Sequence, residues 1–128
     1  MEQSKNPIHV TILSGGIGPE RDVSLNSGTA LAKALQDHYS VELVDLKESQ
    51  VPEGLDPRKT VVFPVIHGTF GEDGSLQSML DERGFIYAGS DCEGSRLCMD
   101  KIRAKQVVEA EGVRVANDIF FTCLLYTS

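Results

Sequence analysis

The sequence predicts an α/β protein built on a parallel sheet, and three observations carry that expectation. Short apolar runs rich in β-branched residues recur at residues 8–13, 41–46 and 60–66. Glycine-rich loops follow the first and third of them. Between the runs lie segments whose apolar residues recur at spacings of three and four, the period of a helix packed on one side. Strand, loop, helix, strand, repeated, is the pattern of a parallel sheet covered on both faces.

The elements follow in order. Residues 8–13 form a first strand, ended by Gly15, Gly16 and Gly18. Residues 23–36 read as a helix whose inner face carries Leu25, Gly28, Leu31 and Leu35. Glycine weakens a helix interior, so Gly28 is expected to allow close approach to the sheet. Residues 41–46 are a second strand, and Pro52, Gly54 and Pro57 mark a loop. Residues 60–66 are a third strand; Pro64 conflicts with a central position but lies near the end, where one lost ladder bond matters least. Leu76, Met79 and Leu80 mark a short helix with Gly84 as its C′ residue. Residues 85–88 form a short strand and residues 90–99 a weakly patterned helix. Asp100 caps a further helix ending before Gly112, with Ala104, Val107 and Val108 as its inner face. Residues 119–122 are a last strand candidate.

The bulk composition narrows the function. The chain has 128 residues, 41% apolar and 24% charged, which suits one soluble domain. A net charge of −7 argues against nucleic acid or an anionic membrane as partner. Cys92, Cys98 and Cys123 are odd in number and lack CxxC spacing, so a disulfide framework or zinc site is not expected and a reducing cytosol is the simplest home. Cys92 and Cys98 read as small buried or half-buried side chains. No signal peptide or membrane-length apolar run is evident.

Two loops carry candidate chemistry. The first contains Gly15, Gly16, Ile17, Gly18, Pro19, Glu20, Arg21, Asp22, Val23 and Ser24. It imitates a phosphate-binding loop poorly, because Arg21 stands where GxGxxG needs its third glycine. Glu20 and Asp22 favour an ammonium over a phosphate. The plainer alternative is that Asp22 or Ser24 only caps the helix and Glu20 is solvated. The second loop opens the string HGTFGEDGSLQ over residues 67–77. His67 could orient Glu20 or bond a ligand, with Glu72 and Asp73 beside it; the alternative is a packed strand-end histidine and a helix start. Both loops follow parallel strands and so can converge on one crevice. Lys101 and Arg103 form a third candidate, an amine for a phosphate or simply a solvated cation.

These motifs resemble the N-terminal domain of the D-alanine–D-alanine ligases, an ATP-grasp family of peptidoglycan synthesis. SGGIGPERDVSLNSG is similar to the family's glycine-rich loop, acidic residue and VSL-x-SG; HGTFGEDGSLQ fits its signature HGxxGEDGxLQ; CMDKIRAK is similar to its MDK element. The resemblance implies a three-layer, Rossmann-like parallel-sheet domain over residues 1–122, reaching the start of a linker to an ATP-grasp domain. Residues 123–128 make an atypical tail, and the chain is expected to be a truncated N-terminal part that is inactive alone. By the same resemblance Glu20 holds the ammonium of the first D-alanine, Ser24 supports that loop, His67 lies beside the substrate, Glu72 and Asp73 shape the pocket, and Lys101 reaches ATP phosphates. ATP and Mg2+ (or Mn2+) serve the complete enzyme, which is expected to be a cytoplasmic homodimer. Competing expectations are a non-catalytic α/β binding or regulatory module and a dinucleotide-binding oxidoreductase domain.

Overall fold

A computed structural model describes residues 6–121. Four strands lie in the order β2-β1-β3-β4, all parallel. They are β1 (Asn6–Gly15), β2 (Tyr39–Leu46), β3 (Thr60–Pro64) and β4 (Ile86–Tyr87). The helices are α1 (Arg21–Leu35), α2 (Ser75–Glu82), α3 (Cys92–Met99) and α4 (Lys101–Ala110).

β1 runs through the middle of the sheet, and its residues from Val10 to Ser14 are buried on both faces. That is the signature of a parallel strand covered from two sides. On one face α1 lies close to the sheet. A Cβ on Gly28 would come 2.7 Å from Ser14 Cβ and 3.0 Å from Leu43 Cδ1, so the expected close approach is real. On the other face Leu13, Leu46, Val62 and Ile66 pack with Phe70, Leu76, Leu80 and Phe85. Leu76 and Leu80 are fully buried, and removing each from water is worth about 2 kcal/mol.

The strands fall where the apolar runs place them, with shifted ends. β1 begins earlier, at Asn6, and ends at Gly15, the first of the glycines expected to end it, which pairs with Leu46. β3 ends at Pro64, paired with Leu13, and not at residue 66. Proline has no N–H to donate, so it sits at the last position of this inner strand. Gly84 follows the C-cap of α2 with φ +73, as a C′ glycine does. The Asp100 side chain accepts from the N–H groups of Ile102 and Arg103, which confirms its capping of α4.

Three expectations need correction. The cap of α1 is Glu20, without a side-chain bond, and neither Asp22 nor Ser24 serves. Ala104, Val107 and Val108 do not form a buried inner face: α4 has no buried residue, and Val107 and Val108 are exposed. α4 packs against α3 alone among the described elements, so its apolar residues have no second surface to meet. Residues 119–121 are not a strand, and Thr122 and the tail lie outside the described residues. Cys92 is half-buried as expected, whereas Cys98 is exposed.

Candidate functional site

The two glycine-rich loops leave the C-terminal ends of β1 and β3, which are neighbours in the sheet, and so they meet. The Glu20 Oε2 atom stands 3.1 Å from the point where a side chain on Gly68 would begin. Glu20 is exposed, and no hydrogen bond or ion pair holds its carboxylate among the described residues. A carboxylate at the mouth of a crevice, without a cationic partner, is equipped to receive a cation or a hydrogen-bond donor.

Ser24 fastens the two loops together. Its Oγ donates to the Val65 carbonyl at 2.5 Å and accepts from the Gly15 N–H at 2.9 Å. The residue is fully buried, so both bonds are shielded from water. Ser24 thus bridges the end of β1, the second turn of α1 and the segment that leads from β3 into the second loop.

His67 is held from two sides. Its Nε2 lies 3.4 Å from Ser27 Oγ, and its Nδ1 lies 3.9 Å from Glu72 Oε1. It does not orient Glu20: its ring nitrogens face Ser27 and Glu72. Glu72 in turn accepts from the Gly68 N–H at 2.7 Å. Asp73 accepts from the Ser75 N–H at 2.9 Å just ahead of α2, whose cap is Gly74 without a side-chain bond, and Glu72 takes no part in that helix start. Burial pushes the Asp73 carboxyl up, but the bonds from Ser75 and the Phe70 backbone outweigh it and hold it below the usual carboxylate range.

The second loop is rigid by construction. Phe70 lies in the core at 8% exposure although its φ is +78. A non-glycine residue persists in the left-handed region only where its surroundings over-determine it. Next to it, Gly71 presses against Ile66: a Cβ there would overlap the Ile66 carbonyl. Gln77 is buried, and its Nε2 donates to the Gly71 carbonyl at 2.8 Å. A cavity of about 340 Å3 opens between this loop and α3, lined by His67, Glu72, Gln77, Ser95 and Cys98 among others.

Lys101 is not joined to this cluster. It is the first residue of α4, exposed, and its amine has no partner among the described residues; Arg103 is also exposed. Sequence reasoning missed Arg21, Asp45, Ser27 and Gln77. Arg21 donates to the Gly16 carbonyl at 3.0 Å, the Leu46 carbonyl at 3.1 Å and Asp45 Oδ2 at 2.6 Å. An arginine replacing the third glycine of a phosphate loop was the available signal. Its guanidinium spans the ends of β1 and β2, on the side of β1 away from the junction with β3. The hydrogen bond to Asp45 raises the Arg21 pKa, and the same bond, with one from Lys47, lowers that of Asp45.

Fold and site together define an open α/β ligand-binding domain whose loops converge beyond the C-terminal ends of a parallel sheet. The particular family follows from its relatives. Residues 47–90 match the family described as D-ala D-ala ligase N-terminus. A D-alanine–D-alanine ligase of Sinorhizobium fredii is 43% identical over 110 residues, covering 85% of this chain and 36% of the relative. The crystal structure of D-alanine–D-alanine ligase from Aeromonas hydrophila superposes with a TM-score of 0.75 at 33% identity, covering 88% of this chain and 50% of that one. The D-alanine–D-alanine ligase of Bacillus anthracis complexed with ATP gives a TM-score of 0.77 at 27% identity, covering 86% and 38%. The chain carries the N-terminal domain of the D-alanine–D-alanine ligase family. It spans little more than a third of the length of the curated relatives it matches.

Proposed function

We propose that this chain supplies the substrate-side part of an ATP-dependent ligase that joins two D-alanines into D-alanyl-D-alanine for peptidoglycan synthesis. The observation that carries the reading is the unpaired Glu20 carboxylate beside Gly68, at the junction of both loops. A D-alanine zwitterion brings an ammonium that such a carboxylate receives by a charge-assisted hydrogen bond. His67, set between Ser27 and Glu72, lies one residue from Gly68 and presents an imidazole to the same crevice. Ser24 and Glu72 hold the loops and do not touch the reacting atoms. Lys101 at the start of α4 is free to meet ATP phosphates once the rest of the protein folds against it.

ATP, magnesium, a cytoplasmic home and a homodimer belong to the same proposal. Among the described residues no group of three or more His, Cys, Asp or Glu side chains is placed to hold a metal ion. No helix of the described residues is long and apolar enough to cross a membrane.

The test uses the protein encoded by the complete reading frame. Glu20→Gln keeps the shape and removes the charge, so it should raise KM for the first D-alanine about tenfold or more and leave KM for ATP nearly unchanged. Lys101→Ala should do the reverse. Equal losses for both substrates in Glu20→Gln would remove Glu20 from ammonium binding.

A further inference from the structure

We propose that Arg21 is a positioning residue: it fixes where the Glu20 carboxylate stands, and with it the affinity for the first D-alanine. The inference rests on the reading of Glu20 given above. Ile17, Gly18, Pro19 and Glu20 are all exposed, so packing fixes none of them. The Glu20 side chain has no partner among the described residues, and the residue forms the helix cap through its backbone alone. Its location is therefore inherited from the two ends of this short stretch.

One end is Gly16, whose N–H donates to the Leu46 carbonyl at 2.9 Å. The other is the first turn of α1. Arg21 spans both. Its Nη1 bonds the Gly16 and Leu46 carbonyls, and its Nη2 bonds Asp45 Oδ2. The guanidinium thus ties the residue directly after Glu20 to the start of the loop and to the end of β2. Ser24 fixes the next turn of the helix, but to Gly15 and Val65. Without the Arg21 side chain only the backbone bonds from Gly16 N–H to the Leu46 carbonyl and from the residue 21 N–H to the Gly18 carbonyl brace the stretch, and it can swing about the Ser24 anchor, carrying the carboxylate away from Gly68.

The geometry needs a guanidinium. Three acceptors are reached by two nitrogens of one planar fork, and a lysine offers a single ammonium point on a flexible stem. Asp45 completes the arrangement from β2, and Lys47 shares the same Oδ2 oxygen at 2.6 Å. The clamp lies on the flank of the loop away from Gly68, so Arg21 acts through Glu20 and not on the substrate.

The experiment measures kcat, both D-alanine KM values and KM for ATP in the protein from the complete reading frame, for Arg21→Lys, Arg21→Ala, Asp45→Asn and Glu20→Gln. The expected result is a rise of about tenfold in KM for the first D-alanine in Arg21→Ala, with KM for ATP within about twofold. Arg21→Lys should recover only part of the loss, and Asp45→Asn should give a smaller rise of the same kind if Arg21→Ala does not fold. Adding Arg21→Ala to Glu20→Gln should raise that KM no further, because both changes remove one interaction. A fall in kcat with every KM unchanged, the mark of a lost folded fraction, would overturn the positioning role. So would additive losses in the double variant. Should Glu20→Gln itself leave KM for D-alanine unchanged, or the unsubstituted protein show no ligase activity, the reading of Glu20 falls and the role of Arg21 falls with it.

Discussion

The two loops of the site are held in opposite ways. The loop over residues 67–74 is held from inside: Phe70 is buried in the core, Gly71 lies against Ile66, and the bonds from Glu72 N–H to the Gly68 carbonyl and Leu76 N–H to the Phe70 carbonyl are its own. The loop after β1 is held from outside, by the Arg21 guanidinium and the Ser24 hydroxyl, while its tip at Ile17, Gly18 and Pro19 faces solvent. Packing is insensitive to pH and salt, whereas a half-exposed ion pair is sensitive to both. One wall of the crevice is thus part of the folded core, and the other is adjustable by charge.

The sharpest way to break the comparison is Gly71→Ala. Its methyl would overlap the Ile66 carbonyl, backbone that cannot give way. Urea unfolding should show a loss of about 3 kcal/mol or more. A loss below about 1 kcal/mol would mean that the second loop is no more built-in than the first.

Ser24→Ala comes next, because among the described residues it cuts the one side chain that bonds both loop stems. It leaves the Gly15 N–H and the Val65 carbonyl buried without that partner, which should cost about 2 kcal/mol in the same measurement. Ser24→Thr would not serve as a rescue, since the site is fully buried and has no room for a methyl.

Acid should act weakly, on the first loop through Asp45 and on the second through Asp73. The Asp45 carboxyl is held below its usual range by Arg21 and Lys47. A group with a depressed folded pKa contributes stability above its unfolded pKa, near 4, and loses it as pH falls through the folded value. Stability should therefore decline below about pH 4, with a shallower slope in Asp45→Asn. Asp56 and Asp73 are depressed too and keep their share of the slope. An identical slope in the variant would show that the pair around Arg21 carries no pH dependence.

Much of this was legible in the sequence, and the failures have physical causes. The short apolar, β-branched runs located β1, β2 and β3, because a parallel sheet covered on both faces draws its strands from such runs. The string from His67 to Gln77 announced its loop, since few turns need a histidine and two acids as well as glycines. Val107 and Val108 misled, because helical periodicity shows that a helix has an apolar side and not what covers it. Ser24 looked like a cap because serine at a helix start usually is one; its real bonds run to Val65, forty-one positions away, and no local rule reaches so far. Arg21 stood out in its loop, but its pairing with Asp45 was out of reach for the same reason, since the sequence gives no register between β1 and β2.

α4 has a consequence for motion. It is ten residues long, buries none of them, and among the described residues meets α3 and, through Lys105, the segment at Ala116 and Asp118, and a helix of that length is marginal in water without tertiary support. Its amides can open without disturbing the sheet, so deuterium should enter residues 101–110 through local fraying. Val10 to Leu13 should exchange only when the whole domain comes apart, whereas Lys101, the first residue of α4, rides on a part that opens locally.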